Sequence, residues 1–199
     1  PADRFQGAYR QMAQGVNEMV GGHIAVKKKS MACVAEFGRG NFEAPLELFP
    51  GKKAFINETI EEVRKNLKAL IADADMLARA AVEGKLATRA DASRHEGDFR
   101  RIVDGVNRTL DAVIGPLNVA AEYVDRISKG DIPPKISDSY SGDFNEIKNN
   151  LNTCIDSLSG LIAEMNRMSD EHNRGEIDAV IPADRFQGAY RQMAQGVNE

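Results

Sequence analysis

Apolar residues recur at alternating spacings of three and four along most of the chain, which is the period of a helix with a narrow apolar seam. One such seam comprises Leu117, Ala120, Val124 and Ile127, and it ends three residues before Gly130. A second seam comprises Phe144, Ile147, Leu151, Ile155 and Leu158. The pattern therefore predicts two helices joined by a connector of thirteen residues, from Gly130 to Asp143.

This pattern of helix, connector and helix occurs four times. The first helix of each repeat is predicted to end at a glycine, and these glycines, spaced by 44, 46 and 45 residues, are Gly40, Gly84, Gly130 and Gly175. Apolar residues follow two places later at Phe42, Leu86, Ile132 and Ile177, and six places later at Leu46, Ala90, Ile136 and Ile181. Because an unpacked connector of this length would be mobile, we predict that both sets hold the connector against the helices.

The two ends of the chain carry the same sequence. Residues 182–199 repeat residues 1–18 letter for letter at an offset of 181 residues, which is the length of four repeats of about 45 residues. We therefore interpret the chain as the second helix of a preceding, truncated repeat (1–20), then module 1 (21–71), module 2 (72–115), module 3 (116–159) and a C-terminally truncated module 4 (160–199). Since the opening helix lacks its partner helix, we expect it to pack less well than its copy.

Residues suited to helix ends flank the seams of module 3. Pro116 stands where a proline is tolerated in a first turn, and Gly130 stands where a left-handed cap would end the helix. Asp143 and Glu146 have the spacing of a capping box at the start of the second helix. The starts of the second helices in modules 2, 3 and 4 are marked by Asp98 and Phe99, by Phe144, and by Tyr190.

The length of the connector determines how the two helices are related. A helix of about 14 residues is ~21 Å long and about ten extended residues cover ~33 Å, so the connector can return along the first helix and start the second one parallel to it. Two parallel helices with narrow seams cannot bury those seams alone, and a second copy of the chain is the simplest partner. We predict an all-α fold of serial parallel four-helix coiled-coil bundles, each formed by a parallel homodimer.

These features resemble HAMP domains, the dimeric parallel four-helix coiled coils that link input to output in bacterial chemoreceptors and sensor histidine kinases. The resemblance rests on Pro116, the seam to Ile127, the connector start at 130–132, Ile136 and the acidic helix start at 143–144. Four repeats in phase resemble a poly-HAMP array. The Gly-Asp-Phe starts at 97–99 and 142–144 and the Asn-rich segment 147–152 are similar to those of multi-HAMP methyl-accepting chemotaxis proteins.

The resemblance implies a cytoplasmic region that relays a conformational change between input and output modules, with flanking HAMP units and an output domain as its neighbours in a longer protein. The predicted junctions between modules are short, at 21–22, 115–116 and 159–160, and would transmit rotation or displacement. Two alternatives remain. The modules could form a passive dimeric spacer, or a monomeric helical solenoid, which also repeats at ~40 to 47 residues but is disfavoured by the long connectors and narrow seams.

Modules 1 and 4 depart from the pattern. Module 1 has no proline at the start of its first helix, carries Lys27 and Ser30 at seam positions, and has a second helix displaced by one residue. Module 4 has Gly-Ala-Tyr at 188–190 in place of Gly-Asp-Phe, and His172 where module 3 has Ile127. The resemblance implies divergent HAMP modules that alternate with more typical ones.

Composition mainly excludes functions. The 199 residues include 26 basic and 30 acidic ones, and the net charge of −4 disfavours nucleic acid or an anionic membrane as the main partner. No segment reaches the ~18 apolar residues that cross a bilayer and no signal-peptide pattern opens the chain, so we expect a soluble fragment. Cys33 and Cys154 lie in helical patterns and are expected to be small buried hydrophobes.

We predict no catalytic, cofactor, metal or small-molecule site, and no enzymatic activity. The histidines His23, His95 and His172 have no Cys, Asp or Glu at the spacing of a metal site. His172 is interpreted as a seam residue, and the acidic pair at 61–62 as a solvated helix face. No phosphate-binding loop, nucleophile elbow or ATP-binding motif is present.

Overall fold

The computed structural model describes all 199 residues, Pro1–Glu199. It contains five α-helices, α1 (Gly7–Gly38), α2 (Ala54–Val82), α3 (Gly97–Ser128), α4 (Asp143–Asn173) and α5 (Gly188–Val197). Short 3-10 turns lie at Ala2–Arg4, Gly51–Lys53, Ala92–Arg94 and Ala183–Arg185. No residue is in a strand, so the prediction of an all-α fold is confirmed. None of the helices offers a stretch long and apolar enough to cross a lipid bilayer.

The long helices α1 to α4 each join two modules. Each carries the second helix of one repeat and continues without interruption into the first helix of the next. The predicted junctions at 21–22, 115–116 and 159–160 all lie inside these helices. Because the residues on both sides of each junction belong to one α-helix, the junctions are helical and not loops.

Pro116 is therefore not in a first helical turn, and that prediction was wrong. It lies inside α3, well away from either end. An interior proline lacks one helical hydrogen bond and crowds the preceding turn, which favours a local bend. The helix nevertheless continues through Pro116 to Ser128.

A left-handed glycine follows the end of each first helix. Gly40, Gly84, Gly130 and Gly175 have φ values of 84°, 73°, 79° and 96°. After Gly130, the N–H of Asp131 donates to the carbonyl of Arg126 at 3.0 Å, and the N–H of Gly130 donates to Ile127 at 3.0 Å. The same pair of bonds closes the other three helices. This is the Schellman geometry, in which a positive φ lets the chain turn back while the last carbonyls stay bonded.

A second left-handed glycine opens the second helix of each module. In modules 2, 3 and 4 these are Gly97, Gly142 and Gly188, with φ values of 54°, 56° and 52°. The predicted capping box at Asp143 does not form, because Gly142 is the capping residue and no side chain bonds to the helix end. Asp143 and Glu146 instead lie in the first turn, where a carboxylate interacts favourably with the helix dipole.

The structure divides into two compact regions, Pro1–Arg108 and Thr109–Glu199. The core of the first comprises Cys33, Phe37, Ala44 and Ile60, with Phe42, Leu46, Ile56 and Leu67 packed against them. The core of the second comprises Leu161, Ile181 and Ala194, with Met168, Ala183, Phe186 and Tyr190 packed against them. Both cores combine residues of a first helix, its connector and the second helix.

Ion pairs show the direction of the connector in module 1. Lys29 on α1 pairs with Glu47 near the end of the connector, whereas Glu36 near the end of α1 bonds to Asn41 at its start. The connector therefore runs back along α1. Its start also lies beside the later part of α2, where Lys68 pairs with Glu43 at 2.5 Å. Since the connector is antiparallel to both helices, the two helices are parallel to each other.

Candidate functional site: the connector and the second helix

The residues six places after the cap glycines are the buried anchors of three connectors. Ala90, Ile136 and Ile181 are 5%, 6% and 1% exposed, whereas Leu46 in module 1 is half-buried. In module 1 the fully buried connector residues are Ala44 and Phe49. Module 1 therefore inserts different residues of its connector into the core.

The residues two places after the cap glycines do not form an equivalent set. Phe42 and Ile132 are half-buried, but Leu86 and Ile177 are 41% and 76% exposed, so within one chain they do not hold their connectors as predicted. The reason is a tight turn. The N–H of Thr88 donates to Lys85 at 3.1 Å, and the N–H of Ala179 donates to Glu176 at 3.3 Å. Leu86 and Ile177 lie at the corners of these turns and project away from the helices.

The predicted markers of the second-helix start are divided between core and solvent. Phe99, Phe144 and Tyr190 are half-buried. Asp98 is exposed and pairs with Arg101 at 2.6 Å, one turn further along α3. Asp143 and Glu146 are exposed as well. The aromatic residue of each start thus contributes to packing, while the carboxylates lie on the surface.

An asparagine on the second helix, or directly after its last residue in module 4, binds the main chain of the connector in modules 2, 3 and 4. The Asn107 carboxamide accepts from the N–H of Ala90 at 3.1 Å and donates to its carbonyl at 2.8 Å. Asn152 makes the same two bonds to Ile136 at 2.7 and 3.1 Å. Asn198 makes them to Ile181 at 2.8 and 2.8 Å. We call Asn107, Asn152 and Asn198 the connector clamps.

The chemistry of the clamp matches its target. A carboxamide carries one acceptor and two donors, so it can bind the N–H and the carbonyl of one residue at the same time, as a neighbouring β-strand would. The bound residue is the buried anchor of each connector, and an unbonded main chain at a buried position is costly. Each bond contributes roughly 0.5–1.5 kcal/mol. The clamp therefore fixes the anchor in place and satisfies its main chain.

Module 1 uses other side chains for the same purpose. The Arg64 guanidinium donates to the carbonyls of Phe42 at 2.5 Å and Ala44 at 2.7 Å, and it lies over the Phe37 ring at 4.9 Å. Arg64 also pairs with Glu61 at 2.9 Å. Its side chain is only 12% exposed. A guanidinium has no acceptor, so it binds two carbonyls instead of one complete peptide residue.

Asn57 adds a second attachment in module 1. Its carboxamide accepts from the N–H of Phe49 at 2.9 Å and donates to the carbonyl of Glu47 at 2.8 Å. Asn57 is buried near the start of α2, whereas the clamps of the other modules lie further along their helices. The connector of module 1 is thus held at both of its ends.

Polar side chains link the first helix to the connector in modules 2 and 4. In module 2, buried Asp73 on α2 lies 2.6 Å from Nε2 of buried His95. At the corresponding positions of module 4, Glu164 on α4 pairs with Arg185 at 2.8 Å and Phe186 replaces the histidine. Only module 2 therefore buries a polar pair at this place.

Hydrogen bonds from arginines lower the pKa values of two carboxyl groups, Glu164 and Asp131. One of these arginines also binds the connector of module 4. The hydrogen bond from Arg167 lowers the pKa of Glu164, and Arg167 also donates to the carbonyl of Val180 at 2.7 Å. In module 3, the hydrogen bond from Arg126 holds the pKa of Asp131 below its ordinary value. Both carboxylates are charged at neutral pH. Asp131 holds the start of its connector at the end of the first helix, whereas Glu164 binds Arg185 in the last part of its connector.

His172 lies half-buried in the last turn of α4, and its Nε2 lies 3.0 Å from the carbonyl of Ala179. His172, which was predicted to be a seam residue, therefore also contacts the main chain of the connector. Cys33 is buried and Cys154 is half-buried, and neither forms a disulfide. No group of three or more His, Cys, Asp or Glu side chains is placed to hold a metal ion.

The clamps were not predicted from the sequence, although a signal for them exists. Asn107, Asn152 and Asn198 lie 23, 22 and 23 residues after the cap glycines of their modules. Aligning the repeats on those glycines would have shown the recurring asparagine. The period of the apolar seam alone does not reveal it, because the asparagines lie between seam positions.

Comparison with protein families gives three matches along the chain. Residues 26–68 match a model described as HAMP N-terminal domain 3, and residues 94–160 match the HAMP domain model. Residues 155–199 match the model of the second HAMP domain of the methyl-accepting chemotaxis protein McpB.

A curated relative agrees with these matches. The methyl-accepting chemotaxis protein McpB of Pseudomonas aeruginosa (strain PAO1) is 39% identical over 119 residues, which cover 58% of this chain and 18% of the relative. The chain thus corresponds to less than a fifth of the length of that protein. No solved structure gives a significant match.

Proposed function

We propose that this chain, which matches HAMP-type family models along most of its length, is a tandem array of HAMP domains that relays a conformational change between input and output modules of a bacterial chemoreceptor. The carrying observation is that α1 to α4 each run without a break from one module into the next. A rotation or displacement of the second helix of one module must therefore move the first helix of its neighbour.

We propose that the relay works as a parallel homodimer. Apolar residues on α3 remain between 42% and 49% exposed in the single chain, namely Ile102, Val106, Val113 and Leu117. Their spacing of four and seven residues is that of a coiled-coil seam. Burying the exposed half of one such side chain would contribute about 1 kcal/mol to the free energy of dimerisation. A second copy of the chain, in register, would cover all four.

The family places such a region in the cytoplasm, between flanking HAMP units and an output domain, and we propose that location and those neighbours for this chain. HAMP proteins and chemoreceptors transduce signals, and the connector sites described above hold main chain in place without an arrangement suited to catalysis. We propose that the module boundaries are those of the repeat, at 21, 72, 116 and 160.

Disulfide crosslinking in the full-length receptor tests both parts of the proposal. In a background without Cys33 and Cys154, Ile102→Cys should crosslink to the same residue of the partner, because symmetric seam positions meet in a parallel dimer. Asp104→Cys, on the opposite face of α3, is the matched control and should not crosslink. The extent at Ile102→Cys should differ between the stimulated and the resting receptor.

The outcomes separate the alternatives. A crosslink of equal extent in both signalling states would identify a passive dimeric spacer. A monomeric mass in solution, with no crosslink at either position, would favour a helical solenoid and reject the dimer.

A further inference from the structure

One polar position recurs in modules 2, 3 and 4 at a fixed distance from the start of the second helix, and module 1 has a counterpart that binds its connector in the same way. Asn107, Asn152 and Asn198 each lie ten residues after the left-handed glycine that opens the helix, which is Gly97, Gly142 or Gly188. In module 1 the left-handed glycine is Gly51, and Arg64 lies thirteen residues after it, within the same stretch of the second helix. Each of these four side chains binds the main chain of its own connector.

The bound connector residue and the buried connector residue coincide. Asn107, Asn152 and Asn198 bind the residue six places after the cap glycine, and that residue is buried in all three modules. Arg64 binds the carbonyl of Ala44, four places after Gly40, and there Ala44 is 4% exposed. Leu46, at the six-place position of module 1, is only half-buried.

We propose that the side chain at this position is a positioning residue that fixes the register of the connector on the second helix. The carboxamide holds one residue by both its N–H and its carbonyl. The guanidinium holds the carbonyls of Phe42 and Ala44, which are two residues apart. The buried residue that it binds is therefore four places after the cap glycine, instead of six as in the other modules. Because the clamp lies on the helix that continues into the next module, it also makes the connector move with that helix, a step that rests on the proposed relay.

The first test is amide hydrogen exchange of the 199-residue chain carrying Asn152→Ala. The Ile136 amide loses its acceptor, and we expect its exchange to become about ten-fold faster or more, while amides in the middle of α4 keep their rates. Asn150→Ala is the control, because Asn150 is exposed on the same helix and the same substitution changes helix propensity equally. Equal rates at Ile136 in the two variants would overturn the proposal.

A conservative variant guards against general destabilisation. In Asn152→Asp the carboxylate can still accept from the Ile136 amide but can no longer donate to its carbonyl. The Ile136 amide should therefore stay protected more than in Asn152→Ala, and the carbonyl carbon resonance of Ile136 should shift. Loss of protection to the same extent in both variants, with an unshifted carbonyl, would show that the carboxamide has no positioning role.

Substitutions of Arg64 in module 1 test the proposal independently. Arg64→Met keeps the length and apolar contact of the side chain but cannot donate, so the carbonyl carbon resonances of Phe42 and Ala44 should shift. Arg64→Lys retains donors and should restore one or both resonances toward their original positions. Unchanged resonances in Arg64→Met would exclude the guanidinium as the element that holds this connector.

Receptor output is measured separately from hydrogen exchange, so that the clamp and the proposed relay are tested independently. In the full-length receptor, Asn152→Ala should change output at constant expression and Asn150→Ala should not. If exchange at Ile136 rises but output is unchanged, the clamp stands and the proposed relay through this module fails. If exchange at Ile136 is unchanged, the clamp fails whatever the output.

Discussion

At the scale of single residues, the modules solve one problem with different chemistry. A connector that returns along its helix buries main-chain groups that belong to no helix and no sheet. The carboxamide of Asn107 or Asn152 satisfies one complete residue, while Arg64 satisfies two carbonyls and leaves the remaining bonds to Asn57. The divergence of module 1 is therefore a change in how the connector is held, in addition to a shift of the apolar seam.

The buried pair in module 2 leads to a prediction at the same scale. Asp73→Ala leaves His95 buried without its partner, which should cost roughly 1–3 kcal/mol of unfolding free energy. Adding His95→Phe should recover most of that loss, because module 4 has Phe186 at the matching position and removing both partners can be nearly neutral. Urea denaturation at one fixed protein concentration measures both values.

A double-mutant cycle makes this test specific. The effects of Asp73→Ala and His95→Phe should be non-additive, whereas Asp73→Ala and His23→Phe should add, since His23 is exposed and distant in sequence from the pair. Additive losses at Asp73 and His95 would mean that the 2.6 Å contact contributes nothing measurable.

At the scale of helices and connectors, glycines have two distinct roles that a substitution can separate. Gly130 has a φ of 79° and ends a helix, whereas Gly160 lies inside α4, where an added Cβ would meet only the edge of Phe186 at 3.7 Å. Gly130→Ala should destabilise the chain by about 1 kcal/mol or more, because only glycine adopts this conformation without strain. Gly160→Ala should stabilise it by roughly 0.5–1 kcal/mol through helix propensity.

Thermal unfolding followed by circular dichroism would detect the opposite signs of these two shifts. If Gly130→Ala raised the midpoint as Gly160→Ala does, the left-handed turn would not be what ends α3.

Local sequence was sufficient to predict most elements but not their ends or their polar contacts. The apolar spacing and the cap glycines placed the helices and the connectors, since both depend on neighbours a few residues away. A short junction at 115–116 was predicted, but an unbroken helix through Pro116 was not, because proline locally favours the first turn of a helix. The clamps were missed because Asn152 and Ile136 are brought together only by the return of the connector.

At the scale of the whole molecule, the duplicated ends show what local sequence decides and what context decides. Both copies form a 3-10 turn, a left-handed glycine and a helix, at Ala2–Arg4 with Gly7 and at Ala183–Arg185 with Gly188. Burial differs. Tyr9 is 74% exposed while Tyr190 is half-buried, so the prediction that the opening copy packs less well is confirmed.

Hydrogen exchange and one pair of substitutions should reproduce this difference in solution. Ala194 is fully buried and its copy Ala13 is not, so the amides around Ala194 should exchange more slowly despite identical neighbours. Asn198→Ala should speed exchange of the Ile181 amide by about ten-fold, because that amide loses its acceptor. Asn17→Ala, in the same local sequence but with an exposed carboxamide, should leave every connector amide unchanged. Equal protection around Ala13 and Ala194 would mean that the connector and first helix of module 4 do not stabilise its second helix.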